Sequence, residues 1–207
     1  MRNICALLFL IFCKHTVAQT SSMQGEYYLR GVMETASGFK LNADSSFEFF
    51  YSYGALDRYG SGTWRSVGNT IFFDSRQRPA KDFALIKSEH VPGNHTTIRI
   101  IDNNEMLLRY VNVLFKTGQT QSESSADHKG IVEIPKQPID SVGLLFRPCP
   151  DRYSTFPVAN KEHNYFEFRF EPWLAEVFFE KFILTIENNQ LTGKHPLLRG
   201  ESFKYKK

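Results

Sequence analysis

The pattern of apolar and polar positions has a period of two over most of the chain. From Phe47 to Tyr53, Phe47, Phe49, Tyr51 and Tyr53 fall on one side and Glu48, Phe50 and Ser52 on the other, as in a strand with one buried face. Gly38 to Asn42 precedes it across Ala43-Asp44-Ser45-Ser46, whose side chains bond their own backbone, so a hairpin is predicted. An earlier strand is read over Glu26 to Glu34, with Tyr27, Leu29 and Met33 on one face. Gly54 to Gly60 reads as a loop, Ser61 to Ser66 as a strand that turns Trp64 away from Thr63 and Arg65, and Thr70 to Asp74 and Asp82 to Ser88 as two more. Strands this short and this closely spaced argue for an antiparallel barrel or sandwich and against βαβ units.

His90-Val91-Pro92-Gly93-Asn94-His95 breaks the pattern, and a domain boundary is expected there, giving units over 25–92 and 96–207. In the second unit, Thr96 to Asp102, Met106 to Lys116, Gly130 to Ile134, Ser141 to Arg147, Asn164 to Phe170, Phe178 to Glu187 and Gln190 to Thr192 read as strands. Thr117 to Lys129 is polar and reads as a flexible connection. Leu174 to Lys181 fits one or two helical turns as well as it fits a strand.

Composition narrows the setting. An apolar share of 42% with 19 Phe and 9 Tyr supplies a packed core. Met1 to Ala18 reads as a signal peptide: Arg2, an apolar run from Ile4 to Phe12, then Thr16-Val17-Ala18 for cleavage. The run is too short to span a membrane, for which about 20 residues are needed. A lipid anchor on Cys13 is disfavoured because bulky Phe12 stands where a small residue is required. A secreted or periplasmic protein with no transmembrane segment after cleavage is expected. Removing Arg2 and Lys14 from the 25 basic residues leaves 23 against 22 acidic ones, and the only basic cluster is the Lys204, Lys206, Lys207 tail, so nucleic acid is not an expected partner. Cys149 is the one cysteine of the mature chain, which excludes an internal disulfide.

Two stretches carry resemblances. Leu41-x-x-Asp44-x-x-Phe47, then Gly62-x-Trp64, then Gly68-Asn69-Thr70-Ile71 resembles the repeating half of small bacterial lipocalin-like barrels, and Tyr53 to Asp57 resembles a Tyr-Gly-Ala-Leu-Asp stretch of secreted bacterial two-domain β proteins. Lipocalins carry Gly-x-Trp on the first strand, whereas here at least three strands precede it, so a meander or partly open barrel is expected. Val111-x-Val113, Gly118 and Asp127-x-x-Gly130-x-Val132-x-Ile134-Pro135 are similar to the regulatory, transthyretin-like β-sandwich module of secreted bacterial proteins, with Ala126 where that family often has Thr. This resemblance implies an Ig-like or transthyretin-like sandwich that assists folding or adhesion and carries no active site. The fold class expected is therefore all-β, a lipocalin-like domain followed by a β-sandwich.

Chemistry-bearing residues are scattered. There is no Gly-x-Ser-x-Gly elbow, phosphate loop or dinucleotide fingerprint, and no cofactor is expected. His90 and His95, with Glu89, offer metal donors, but a Pro-Gly turn does not set both imidazoles on one face and a structural site needs about four ligands, so no metal is expected. Cys149, with Asp151 and His163, is the one nucleophile arrangement to weigh, for a hydrolase with a dispersed site; free cysteines are more commonly buried packing residues. The aromatic group Tyr51, Tyr53, Leu56, Tyr59 and Trp64 around Gly54 to Gly62 is the expected contact set for a small apolar or aromatic ligand, set against core packing for the same residues. The reading is a non-enzymatic binding protein for such a ligand or a protein partner, with an envelope accessory protein as the alternative.

Overall fold

The computed structural model describes residues 23–207, so the expected signal peptide, Met1 to Ala18, and Cys13 lie outside the described residues. Among the described residues there are sixteen strands: β1 (Gly25–Arg30), β2 (Thr35–Leu41), β3 (Ser46–Tyr53), β4 (Leu56–Val67), β5 (Thr70–Asp74), β6 (Phe83–Glu89), β7 (His95–Ile101), β8 (Val111–Thr117), β9 (Thr120–Ser125), β10 (Ile131–Pro135), β11 (Ser141–Phe146), β12 (Ser154–Pro157), β13 (Tyr165–Phe170), β14 (Phe182–Glu187), β15 (Gln190–Gly193) and β16 (Phe203–Lys206). The all-β expectation of a barrel and a sandwich holds.

The first five strands form the expected meander, in which Phe47, Phe49 and Tyr51 point inward and Glu48 and Phe50 outward. Asp44 Oδ1 accepts from Ser46 N at 2.9 Å and from Ser46 Oγ at 2.6 Å, which fixes the β2–β3 turn. The barrel is closed, in the order β1-β16-β15-β14-β5-β4-β3-β2, with every neighbouring pair antiparallel. β1 and β5 do not pair with each other, and the three strands that close the gap between them come from the far end of the chain. The expected division near residue 92 therefore does not separate the sheets: Ser75 to Lys181 is inserted between two neighbouring barrel strands, and β14 to β16 return to complete the barrel. β6, read as part of the first unit, lies in the insertion instead.

The insertion forms two four-stranded sheets, β10-β7-β13-β6 and β12-β11-β8-β9. They enclose a core that includes Ile98, Ile100, Val113, Phe115, Val142, Leu144 and Phe168. β13 runs parallel to β7 and antiparallel to β6, so the first sheet is mixed. Thr117 to Lys129 is no flexible connection, since Thr120–Ser125 pairs with β8 as an edge strand. The Asp127 carboxylate accepts from Lys129 N and Ile131 N, both at 2.8 Å, and shapes the turn into β10. Glu105–Tyr110, of which Met106 to Tyr110 was expected as strand, is a short 3-10 helix that Asn104 caps through Met106 N. Met33, read as part of the first strand on one face with Tyr27 and Leu29, is exposed beyond the end of β1.

Phe39, Phe47, Phe49, Phe73, Phe182 and Tyr205 meet at ring-centroid distances of 4.8–6.4 Å and fill the barrel interior. Phe179 completes this packing. It lies just before β14, is 4% exposed, and touches Phe39, Phe47, Phe49, Phe73 and Phe182. The segment from Ala175 to Phe179, expected as helical turns or strand, is neither: it runs beside β4, held by Tyr59 N to Ala175 O and Val177 N to Tyr59 O, and plugs the barrel. Gly60 makes room for it, since a Cβ there would fall 2.7 Å from both Val177 O and Phe179 Cε2. In the Gly-x-Trp element a Cβ on Gly62 would fall 2.1 Å from Asp74 O, so the close crossing of β4 and β5 needs glycine. No helix among the described residues is long and apolar enough to cross a membrane.

Candidate functional site

The aromatic group around Gly54 separates into three environments. Trp64 is 3% exposed, with its indole N–H donating to Asn42 O at 3.1 Å, and Tyr51 is buried against His195. Both are parts of the barrel packing. Tyr59 lies on the outer face and donates to Pro172 O at 3.0 Å. The expected Gly54 to Gly60 loop is a two-residue turn, Gly54-Ala55, at the tip of the β3–β4 hairpin, with Tyr53 opposite Leu56. Tyr53 and Leu56 are thereby carried out of the barrel toward the insertion.

There they form one wall of a cleft of about 640 Å³ between the two bodies. Met106, Leu107 and Tyr110 of the 3-10 helix and Phe146, Pro148 and Leu174 elsewhere in the insertion complete its lining. Leu56 packs against both cores and so joins the two bodies at this point. Met106 and Tyr53 are 72% and 51% exposed, and Asp57 and Arg109 add charge to the lining. A cleft of this size, mainly apolar with a few polar groups at its edge, has the properties of a small-molecule site.

Near the cleft one buried ion pair locks the hairpin to the insertion, and others within the insertion brace it. The Arg58 side chain, buried on β4, donates to both carboxylate oxygens of Asp151, at 3.2 Å and 2.7 Å. Arg78 also reaches Asp151, at 3.1 Å; Arg152 clamps Asp82 at 2.9 Å and 2.6 Å; and Arg76 pairs with Glu176 at 2.6 Å. Burial works to raise the Asp151 carboxyl, and the Arg58 and Arg78 guanidiniums outweigh it and hold the group below the usual carboxylate range. These groups are paired with one another, which makes them a structural clamp.

Cys149 adjoins this clamp. Burial pushes its thiol up, Asp151 and Asp82 add to the rise, and Arg58 opposes them. His163 is engaged elsewhere, with Nδ1 2.9 Å from Ser88 Oγ, so the Cys149, Asp151 and His163 arrangement is not assembled. A buried thiol that resists ionisation is a poor nucleophile. His90 Nδ1 is 2.9 Å from Glu162 O and His95 begins β7 opposite Pro135. Among the described residues no three or more metal-ligating side chains gather.

His195, between β15 and β16, carries no signal in the sequence that sets it apart from the other histidines. Leu197 N and Leu198 N donate to its Nδ1 at 3.0 Å and 3.1 Å, so the proton sits on Nε2, which donates to Ser37 Oγ at 3.1 Å. Burial lowers its pKa to about 4. Every ring nitrogen is satisfied by the barrel itself. Comparison with family models, curated proteins and solved structures finds no match to this chain.

Proposed function

We propose that the protein is a non-enzymatic binding protein that takes a small apolar or aromatic ligand in the cleft between the β3–β4 hairpin and the 3-10 helix. The observation that carries this reading is the pairing of a filled barrel with an open apolar cleft: Phe179 occupies the space that a lipocalin-like barrel would offer a ligand, while Tyr53, Leu56 and Met106 stand around an unfilled concavity. Two of the five aromatic-group residues, Tyr53 and Leu56, line it, so binding stays at the hairpin tip but moves outside the barrel. Secretion or a periplasmic location belongs to the same proposal and rests on the sequence of Met1 to Ala18.

The test is titration of 1-decanol into the protein and into Met106→Glu, followed by calorimetry and thermal shift. Met106 is so exposed that the substitution leaves folding intact, while a carboxylate in the apolar wall opposes entry of an alkyl chain. Saturable binding that weakens at least tenfold in the variant supports the reading. Equal binding by both proteins, or none by either, sinks it.

A further inference from the structure

We infer that the cleft selects anionic amphiphiles, a carboxylate head on an apolar body, with Arg109 and Arg147 receiving the head. This inference rests on the cleft being the binding site. Arg109 and Tyr110 line the cleft, and Arg147 adjoins it between the lining residues Phe146 and Pro148. Two guanidiniums lie against the Tyr110 ring, Arg109 Cζ at 5.1 Å and Arg147 Cζ at 5.5 Å from its centroid. Arg109 donates to Tyr110 Oη at 3.1 Å and Arg147 donates to Arg109 O at 2.9 Å, so the helix end and the segment after β11 hold both cations at one ring.

Neither guanidinium forms an ion pair with a carboxylate among the described residues, in contrast to Arg58, Arg76, Arg78 and Arg152 a short distance away. Two cations held at one ring favour an anion nearby, and planar guanidiniums suit a carboxylate because two N–H groups can reach its two oxygens. The acidic groups nearby set the orientation. Asp57 stands on the hairpin side of the cleft, and Glu105 opens the same 3-10 helix without pairing to Arg109. An incoming carboxylate is repelled by Asp57 and drawn to the cations at the Tyr110 ring. Its alkyl body rests against Leu107, Leu56, Leu174 and Met106, the last a flexible side chain that adapts to chains of different shape.

Three probes with one tail separate charge from apolar contact: decanoate, 1-decanol and decyltrimethylammonium, each titrated at pH 8 and low salt, below its aggregation concentration. Decanoate is expected to bind about tenfold tighter than decanol, and decyltrimethylammonium more weakly than either. In the doubly substituted Arg109→Gln, Arg147→Gln protein, decanoate should fall to the affinity of decanol. Both arginines are exposed, and retained decanol binding verifies that this variant is folded. Added salt should erase the decanoate advantage, as expected for screened surface charges. If decanol binds and decanoate binds no better, the charge selection is overturned while the cleft reading stands. Charge selection by these two arginines is likewise overturned if the decanoate advantage survives their removal. If none of the three binds, both readings fall together.

Discussion

Phe179→Ala tests the plugged barrel with a single substitution. Phe179 is 4% exposed and its ring meets five others at centroid distances of 5.1–6.4 Å, three of them edge-on within 5.4 Å. Removing a fully buried Phe side chain costs about 3–5 kcal/mol, the sum of lost transfer energy and the cavity left behind. The upper part of that range applies here, because each edge-to-face pair contributes about 0.5–1.5 kcal/mol beyond burial and a closed barrel collapses poorly around a void. For a chain of this size, about 4 kcal/mol corresponds to a Tm lower by roughly 8–16 °C. Urea denaturation followed by circular dichroism measures the loss, and toluene should restore part of the stability by occupying the dry cavity. Decanol binding in the cleft should be unchanged, because Phe179 does not line it. A loss below about 1 kcal/mol would mean that the ring is not the plug described here.

Other perturbations probe the same account. Gly60→Ala should destabilise by about 2 kcal/mol or more in urea melts, since its Cβ would collide with Val177 O and Phe179; a neutral result would contradict the close passage of that segment along β4. Asp151→Ala leaves the buried Arg58 guanidinium without its bidentate partner and should cost about 2–4 kcal/mol, whereas loss of the exposed Lys194–Glu201 pair should cost under 1 kcal/mol. His195 titrates near 4 when folded against 6.5 for the free imidazole, so above pH 6.5 both states are neutral and its contribution is complete. As pH falls from 6.5 to 4 the unfolded chain takes up the proton first, and stability should drop by about 3 kcal/mol; the urea midpoint of His195→Gln should show a correspondingly flatter pH dependence over that window. Cys149 should react with a thiol reagent at pH 8 far more slowly in the folded protein than in urea; equal rates would restore it as a nucleophile.

What the sequence disclosed follows from the range of the forces that write it. Phe47, Phe49 and Tyr51 could be placed because one strand must bury one face, and the Asp44 turn because its bonds are made within two residues. Barrel closure was hidden because β5 and β14 pair across more than a hundred residues, and nothing in Ile71 or Phe73 names Leu184 or Phe182 as its partner. Phe203-Lys204-Tyr205-Lys206 alternates over too few residues to stand out from a basic tail, yet Tyr205 is fully buried. Thr120 to Ser125 has no apolar face to alternate, since this edge strand is held by backbone bonds to β8. The hairpin tip was legible as a candidate position, whereas the other residues that line the cleft with it were not, because Met106 and Tyr110 reach it only through the fold of the insertion. Arg58 was invisible for the same reason: only the assembled junction gives it Asp151.

The most direct test of the account is the position of a bound chain. Crystals of the protein soaked with 10-bromo-1-decanol should show anomalous bromine density between Leu56 and Met106, with the Phe179 ring still in place inside the barrel. Bromine density within the barrel beside Trp64, with Phe179 displaced, would contradict it.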